Sequence, residues 1–180
     1  MMLRPDLQDI PQHPIPTPYT LHWYKEGDEH QWLAIKAQSD RFHTADLTFF
    51  LQTYGEQRAL LSQRQMYLYD AAGKAVGTVT AWFEELAGKM YGKVNWMLLV
   101  PAIQGLGLSK ALLSLCLQRL DKLGHNRALL YTLTARIAAI NLYRQFGFVP
   151  LIGDKTELEA WEAVNSRLKN PFRRDEYIVE

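Results

Sequence analysis

The chain has 180 residues, 48% of them hydrophobic, and a formal net charge of only +1; that is the size and composition of one globular domain, able to bury a core without metal or disulfide staples. The 20 basic residues are balanced by 19 acidic ones with no long basic run, which argues against bulk nucleic-acid or membrane-surface binding. Cys116, the one cysteine, lies in an apolar helical stretch without a basic activator, which excludes an internal disulfide or a cysteine-rich metal site and marks an inert core thiol.

The first residues, Met-Met-Leu-Arg-Pro-Asp, hold no apolar signal core, and no apolar run approaches the roughly 18 residues of a membrane span, so a soluble, cytoplasmic protein is expected. Pro5, Pro11, Pro14, Pro16 and Pro18 keep residues 1–18 out of helices and central strands. These residues read as an extended arm, packed on or trailing from a single domain over 19–180. Thr20 to Trp23 alternates as a first strand. Asp28 stands where it can cap a helix through Trp32, Leu33 and Ile35. Thr44-Ala45-Asp46-Leu47 opens a second helix, closed near Gly55. Gln65 to Tyr69 and Val76 to Phe83 read as two strands joined by the turn Asp70-Ala71-Ala72-Gly73-Lys74. Glu84 to Gly88 turns the chain again, into a third strand from Tyr91 to Val100.

That strand is stopped by Pro101, which has no N–H for a sheet ladder. Gln104-Gly105-Leu106-Gly107-Leu108-Ser109 follows, and then a long helix to about Gly124 with Leu112, Leu115, Cys116 and Leu120 at helical spacing. A strand, a Gly-x-Gly turn and a helix amino terminus together present bare backbone N–H groups to an anion. Arg127 to Leu133 is the next strand, parallel to Val94–Val100 by a right-handed crossover. A helix from Arg136 to Phe146, capped by Thr134, leads to a strand from Phe148 to Ile152. Thr156-Glu157-Leu158-Glu159 has a capping-box pattern, its helix ends at Asn170-Pro171, and Tyr177-Ile178-Val179 suits a last strand. The class is α/β (α+β): a single mixed, mostly antiparallel sheet with helices on both faces.

Two common phosphate-binding folds fail here. A dinucleotide fingerprint needs an acidic residue at the end of the next strand, and the stretch from Gly124 to Thr132 has no carboxylate; a Walker loop needs Gly-Lys-Ser/Thr, which is absent. The segment Val100-Pro101-Ala102-Ile103-Gln104-Gly105-Leu106-Gly107-Leu108-Ser109-Lys110-Ala111-Leu112 instead resembles the central motif of the GNAT superfamily of acyl-CoA-dependent N-acyltransferases, Gln/Arg-x-x-Gly-x-Gly/Ala after a strand ending in Val-Pro. A second family signature, Leu-Tyr-x-x-x-Gly-Phe, is matched by Leu142-Tyr143-Arg144-Gln145-Phe146-Gly147-Phe148. The two stand in order, one helix and one strand apart, and the resemblance covers about Met66 to Leu151.

The resemblance implies acetyl-CoA as co-substrate, with no metal, and a central parallel strand pair splayed at the coenzyme site. Its pyrophosphate would lie on the backbone N–H groups of Gly105, Leu106, Gly107, Leu108 and Ser109, flanked by Gln104 and Lys110. The pantetheine arm would run beside Leu98, Leu99 and Val100, where a bulge exposes backbone N–H to the thioester carbonyl. Ser109 stands where the pattern prefers Gly or Ala. Arg136 stands where many members carry an Asn against the pantetheine arm; Asn141, a turn later, is the substitute in this reading, and Arg136 is either a phosphate ligand or a solvated cap.

For Tyr143 the family role is donation of a proton to the departing thiolate, which the phenol pKa near 10 and thiol pKa near 8.5 permit; the local sequence alone favours a half-buried tyrosine on the inner face of a helix. No base stands out. Glu84 and Glu85 are candidates on the loop before the central strand, or simply a solvated turn; His22, His30, His43 and His125 are unassigned, and a water-relayed base is preferred. The aromatic-rich stretches Trp32–Phe50 and Thr156–Arg174 suit an acceptor pocket, an interface or ordinary packing. The expected activity is transfer of an acetyl group to a primary amine of a small molecule or protein by direct attack on the thioester. The competing reading is a catalytically inactive module that binds acyl-CoA or docks a partner. The oligomeric state is open, a homo-oligomer included.

Overall fold

The computed structural model describes residues 1–40 and 44–179, Glu56 by its backbone only; His43 and the middle of the stretch Trp32–Phe50 lie outside the described residues. The strands are β1 (Met2–Arg4), β2 (Thr20–Trp23), β3 (Gln65–Tyr69), β4 (Ala75–Leu86), β5 (Lys89–Leu99), β6 (Ala128–Leu130), β7 (Val149–Ile152) and β8 (Ile178–Val179). The helices are α1 (Glu29–Ser39), α2 (Leu47–Tyr54), α3 (Leu61–Arg64), α4 (Leu108–Lys122), α5 (Ile137–Gln145) and α6 (Lys155–Asn165). The strands form one sheet in the order β2-β3-β4-β5-β6-β1-β7-β8. Pairing is antiparallel except at β5–β6 and β7–β8. This is the mixed α/β sheet expected from the sequence.

Both faces of the sheet centre are covered. Met66, Tyr67 and Leu68 in β3 and Val76 through Trp82 in β4 are buried in succession. Neighbouring strand residues point to opposite faces, so such a run requires helices on each side. α1 and α4 both pack on β4 and β5. α4 does so through Leu112, Leu113, Cys116, Leu117 and Leu120, all fully buried, and closeness to the sheet explains Gly92: a Cβ there would meet Leu120 Cδ2 at 3.0 Å and the Arg127 carbonyl at 3.1 Å.

The amino terminus corrects the sequence reading. Residues 1–18 are not merely an arm, because Met2–Arg4 is a strand between β6 and β7, with Met2 opposite Leu130 on one side and Pro150 on the other. Arg4 is buried and donates to the carbonyls of Asp6, Gln8 and Phe146, so its cation lies at the carboxyl end of α5, where the helix dipole favours it. Pro5 then ends the strand. The following residues lie along α4, where Ser114 Oγ donates to the Pro11 carbonyl (2.6 Å) and accepts from His13 N (3.2 Å).

Two other boundaries move. β4 runs to Leu86, so Glu84 and Glu85 are strand residues paired with Tyr91 and Met90, not loop residues; the turn is the short Ala87-Gly88. α6 is capped by Asp154, whose carboxylate accepts from Glu157 N (2.8 Å), two residues before the expected Thr156.

The feature that matters for function is the pairing of β5 with β6. It is limited to Gly92↔Ala128 and Lys93↔Leu129. β6 stops at Leu130 whereas β5 continues to Leu99, so the two strands part and leave a gap beside the second half of β5.

Candidate active site

At the far end of β5 the chain passes through the 3₁₀ turn Pro101–Ile103 into the glycine turn and α4. Gly105 and Gly107 have φ of +83° and +79°, a region disfavoured for residues with a Cβ. A Cβ built on either meets nothing within 4 Å. The backbone conformation asks for glycine, and the space above the turn is open. Gly107 is the residue before the first turn of α4, and no side chain caps that end. The first N–H groups of a helix have no partner within it, and the dipole places positive charge there. Leu108 is buried, so only its backbone faces the turn, while Leu106 is exposed.

β5 presents a second row of backbone groups. Val100 N bonds the Val76 carbonyl at 2.9 Å; alternate residues of an antiparallel ladder bond, so Leu99 turns its N–H and C=O away from β4, towards the gap. The Leu99 carbonyl is engaged by Gln104 Nε2 at 2.9 Å, which leaves its N–H facing the gap and ties the glycine turn to the strand. Nearer the middle of β5 the register with β4 slips between Thr78 and Thr80, an extra β5 residue is accommodated, and Trp96 has φ +45°. That is a β-bulge with a bulky residue in the left-handed region, a strained arrangement of the kind found at functional sites.

The gap opens into a cleft of about 620 Å³, within the range of small-molecule sites. Trp82, Phe83 and Glu84 of β4, Lys93 to Leu98 of β5, Thr53, Tyr131 to Leu133, Arg136 and Tyr143 wall it. Tyr143 is 9% exposed. Burial pushes its phenol up to about 12, and the charge of Arg136 pulls the other way. Arg136 Nη2 is bonded to Asp40 Oδ1 at 2.8 Å, and Asp40 Oδ2 takes Lys36 Nζ at 2.9 Å, both Lys36 and Asp40 being buried. The same ammonium lies 4.4 Å from the centre of the Trp96 ring. Elsewhere on the wall, Glu84 accepts from Lys93 Nζ (2.5 Å) and from the Tyr131 hydroxyl. Burial alone would raise the Glu84 carboxyl; the bonds from Lys93 and Tyr131 and the Lys93 charge hold it below its ordinary value. Tyr131 is pushed up to about 12 by burial and by its bond to the Glu84 carboxylate.

Residues 7–148 match the model of the acetyltransferase (GNAT) family. This chain belongs to that family. A mycothiol acetyltransferase of Salinispora tropica is 30% identical over 151 residues, 81% of this chain and 49% of the relative; the chain spans about half the length of the curated relatives it matches. Among solved structures, a GCN5-related N-acetyltransferase from Sphaerobacter thermophilus superposes with a TM-score of 0.66 at 20% identity, covering 82% of this chain and 47% of that one. The ribosomal-protein-S18-alanine N-acetyltransferase of Escherichia coli gives 0.57 at 20% identity, covering 72% and 76%. The structures speak to the shared fold.

Of the predicted residues, Leu98 and Tyr143 line the cleft. Leu99 and Val100 stand at the far end of the same strand, and Gln104 to Lys110 form the glycine turn and the start of α4 beyond it, tied to the strand by the bond from Gln104 to the Leu99 carbonyl. Asn141 does not join them: its Nδ2 donates to the Ile137 carbonyl (2.9 Å) and its Oδ1 accepts from Lys169 N (2.9 Å), tying α5 to the segment after α6. Arg136, left between a phosphate ligand and a solvated cap, lines the cleft and is anchored by Asp40. Glu85 is exposed and off the cleft. His125 is not on the cleft either, and burial and the Arg64 charge hold its imidazole below its ordinary value. Cys116 is buried with its thiol pushed up by burial, as an inert core residue should be. The Lys36–Asp40 pair was the main omission; its trace in the sequence is two opposite charges four residues apart on one helix.

Proposed function

We propose that this chain transfers an acetyl group from acetyl-CoA to a primary amine. The observation that carries the reading is the cleft between β5 and β6, with Tyr143 in its wall and the Gly105–Gly107 cradle at the end of the same strand. The residues fit the coenzyme. The open space over both glycines admits a diphosphate where a side chain would intrude, the N–H groups from Gly105 to Ser109 suit its charge, and the Leu99 edge suits an extended amide-bearing arm.

Bound there, acetyl-CoA supplies an activated acetyl group: the amine nitrogen forms a bond to the carbonyl carbon, the C–S bond breaks, and free thiol and amide result. Tyr143 gives its proton to the sulfur and regains one from solvent, while the amine's own proton leaves through water. With its phenol pushed up by burial, Tyr143 holds that proton throughout the neutral range. Glu84 does not suit the role of base, because a carboxylate held below its ordinary value takes up a proton poorly at neutral pH. It serves instead as a fixed anion on the acceptor side, with Asn95 and Thr53 as further polar groups and Trp82 and Phe83 as apolar walls.

The test is thiol release from acetyl-CoA with a panel of amines, headed by mycothiol-related amines because of the name the Salinispora relative carries. Wild type should turn over at least one, and Tyr143→Phe should lower kcat at least tenfold with coenzyme A affinity within about threefold, given the usual contribution of a general acid. Binding without turnover across the panel would leave a coenzyme-binding module, and an unchanged kcat in Tyr143→Phe would leave that residue a packing role.

A further inference from the structure

The reading above leaves the Tyr143 proton poorly matched to its destination. Burial pushes the phenol up to about 12, whereas a thiol lies near 8.5, and each unit of mismatch costs roughly a factor of ten in the share of proton transferred. The fold contains a group that acts against this mismatch. Arg136 precedes α5, seven residues before Tyr143, which at about 100° per residue places the two on one helix face; both line the cleft. Its guanidinium is fixed from behind. Asp40, with no exposed side chain, holds Arg136 Nη2 at 2.8 Å with one oxygen and Lys36 Nζ at 2.9 Å with the other. Among the described residues, this one carboxylate serves both cations. Arg136, whose side chain is 30% exposed, is the one of the three on the cleft wall.

We propose that Arg136, anchored by the buried Asp40–Lys36 pair, is a positioning residue for the leaving-group step, keeping a positive charge in the cleft it shares with Tyr143 so that the phenol proton passes to the departing sulfur. The inference rests on the acyl-transfer reading. When the C–S bond breaks, sulfur takes the electron pair and the phenol proton. Negative charge is shared between phenol oxygen and sulfur during that transfer, and a cation already fixed in place lowers its energy without reorganising at the moment of reaction. Among the described residues the other titratable groups near the cleft do not supply this charge. Glu84, Lys93 and Tyr131 are bonded to one another, and Cys116, facing Tyr143 from α4, is a buried thiol.

The test pairs a spectroscopic readout with kinetics, using Arg136→Gln, which removes the charge, and Arg136→Lys, which keeps it. Arg136→Gln leaves Asp40 its Lys36 partner, and a thermal melt confirms folding. First, free coenzyme A is bound and its thiolate absorbance in the ultraviolet is followed against pH. The bound thiol and Tyr143 titrate as a pair, and in Arg136→Gln the apparent midpoint should move up by about one unit, in Arg136→Lys by much less. Second, thiol release from acetyl-CoA is measured with hydroxylamine, a nucleophile too small to depend on an acceptor pocket. Arg136→Gln should lower kcat about tenfold with coenzyme A affinity nearly unchanged, and should cost little further in a Tyr143→Phe background, since residues acting through one another are not additive. Unmoved thiol titration, or additive losses in the double variant, overturns the proposal while leaving the transferase reading intact. Wild type that binds no coenzyme A and releases no thiol above the blank overturns both.

Discussion

Replacing Gly107 with alanine separates two demands that the cradle places on one residue. The first is conformational: φ is +79°, and a residue with a Cβ pays roughly 1–2 kcal/mol there. For a domain of this size that is a fall in melting temperature of about 2–8 °C. The second is steric, and it concerns the ligand alone, because an added Cβ meets no protein atom within 4 Å. If a diphosphate occupies that space, the methyl group displaces it from at least one backbone N–H. Hydrogen bonds to a charged group are worth about 1.5–3 kcal/mol, so coenzyme A should bind roughly 10- to 150-fold more weakly. A matched control lies at the other end of the same helix. Gly124 has φ +82° and likewise nothing within 4 Å, so Gly124→Ala should cost the same stability and no affinity. Calorimetric titration with coenzyme A and thermal melts on both variants decide the matter. Equal affinities in Gly107→Ala and Gly124→Ala would refute the cradle, whatever the melting temperatures.

The strand edge can be tested through Gly77. An added Cβ would sit 2.5 Å from Leu99 Cδ2 and 3.2 Å from the Leu98 carbonyl, so Gly77→Ala should destabilise the fold by about 1–3 kcal/mol through overpacking. It should also weaken coenzyme binding by displacing β5; a melt showing the loss while titration shows full affinity would remove Leu98 and Leu99 from the site. Glu84 gives a pH dependence. Its carboxyl is lowered in the folded protein because the bonds from Lys93 and Tyr131 and the Lys93 charge outweigh the opposing push of burial. A carboxyl with a lowered folded pKa contributes stability that is fully present above its ordinary value of 4.5 and is lost as pH falls through the folded one. The melting temperature of Glu84→Gln should therefore fall less steeply than wild type below about pH 4.5. Superimposable profiles would show that the pair with Lys93 carries no net stability.

What was legible in the sequence is what is written locally. An apolar run stopped by proline, two glycines with open backbone, and a helix with leucines at helical spacing specify strand, glycine turn and α4 within about thirty residues, so the part of the fold proposed to hold the coenzyme could be read directly. β1 could not. Three residues are too few for any periodicity, and its partners Leu130 and Pro150 lie more than a hundred residues away, so only tertiary pairing defines it. The loop assigned to Glu84–Gly88 failed for a different reason: the glutamates look like a solvated turn, whereas the strand continues through Glu84 and Glu85 to Leu86 and the turn is made by Ala87 and Gly88 with φ of 49° and 72°. Asn141 could have been excluded by counting. It lies two residues from Tyr143, about 200° around the helix, and cannot share a cleft with it, whereas Arg136 at seven residues can.

The acceptor side was opaque because its walls come from β4, β5, α2, α5 and the segment after β6, and because its shape depends on a helix that does not line it. Trp96 adopts φ +45°, which for a bulky residue stores about 1–3 kcal/mol. Its ring lies against Trp32 at 5.7 Å and Phe49 at 5.6 Å, with the Lys36 ammonium 4.4 Å from its centre. Aromatic contacts of this kind are worth about 0.5–1.5 kcal/mol each and a desolvated cation–π contact about 2. The packing thus matches or exceeds the strain, and without it the bulge would have no reason to persist. Lys36 in turn is paired in the core with Asp40, which also anchors Arg136. α1 and its C-terminal cap Asp40 therefore hold both the bulge in β5 and the Arg136 cation on the cleft wall, although no residue of α1 lines the cleft. Lys36→Met should then lower kcat by disturbing both the bulge and Arg136, a coupling that cannot be seen in any motif because it runs through tertiary packing and buried ion pairs.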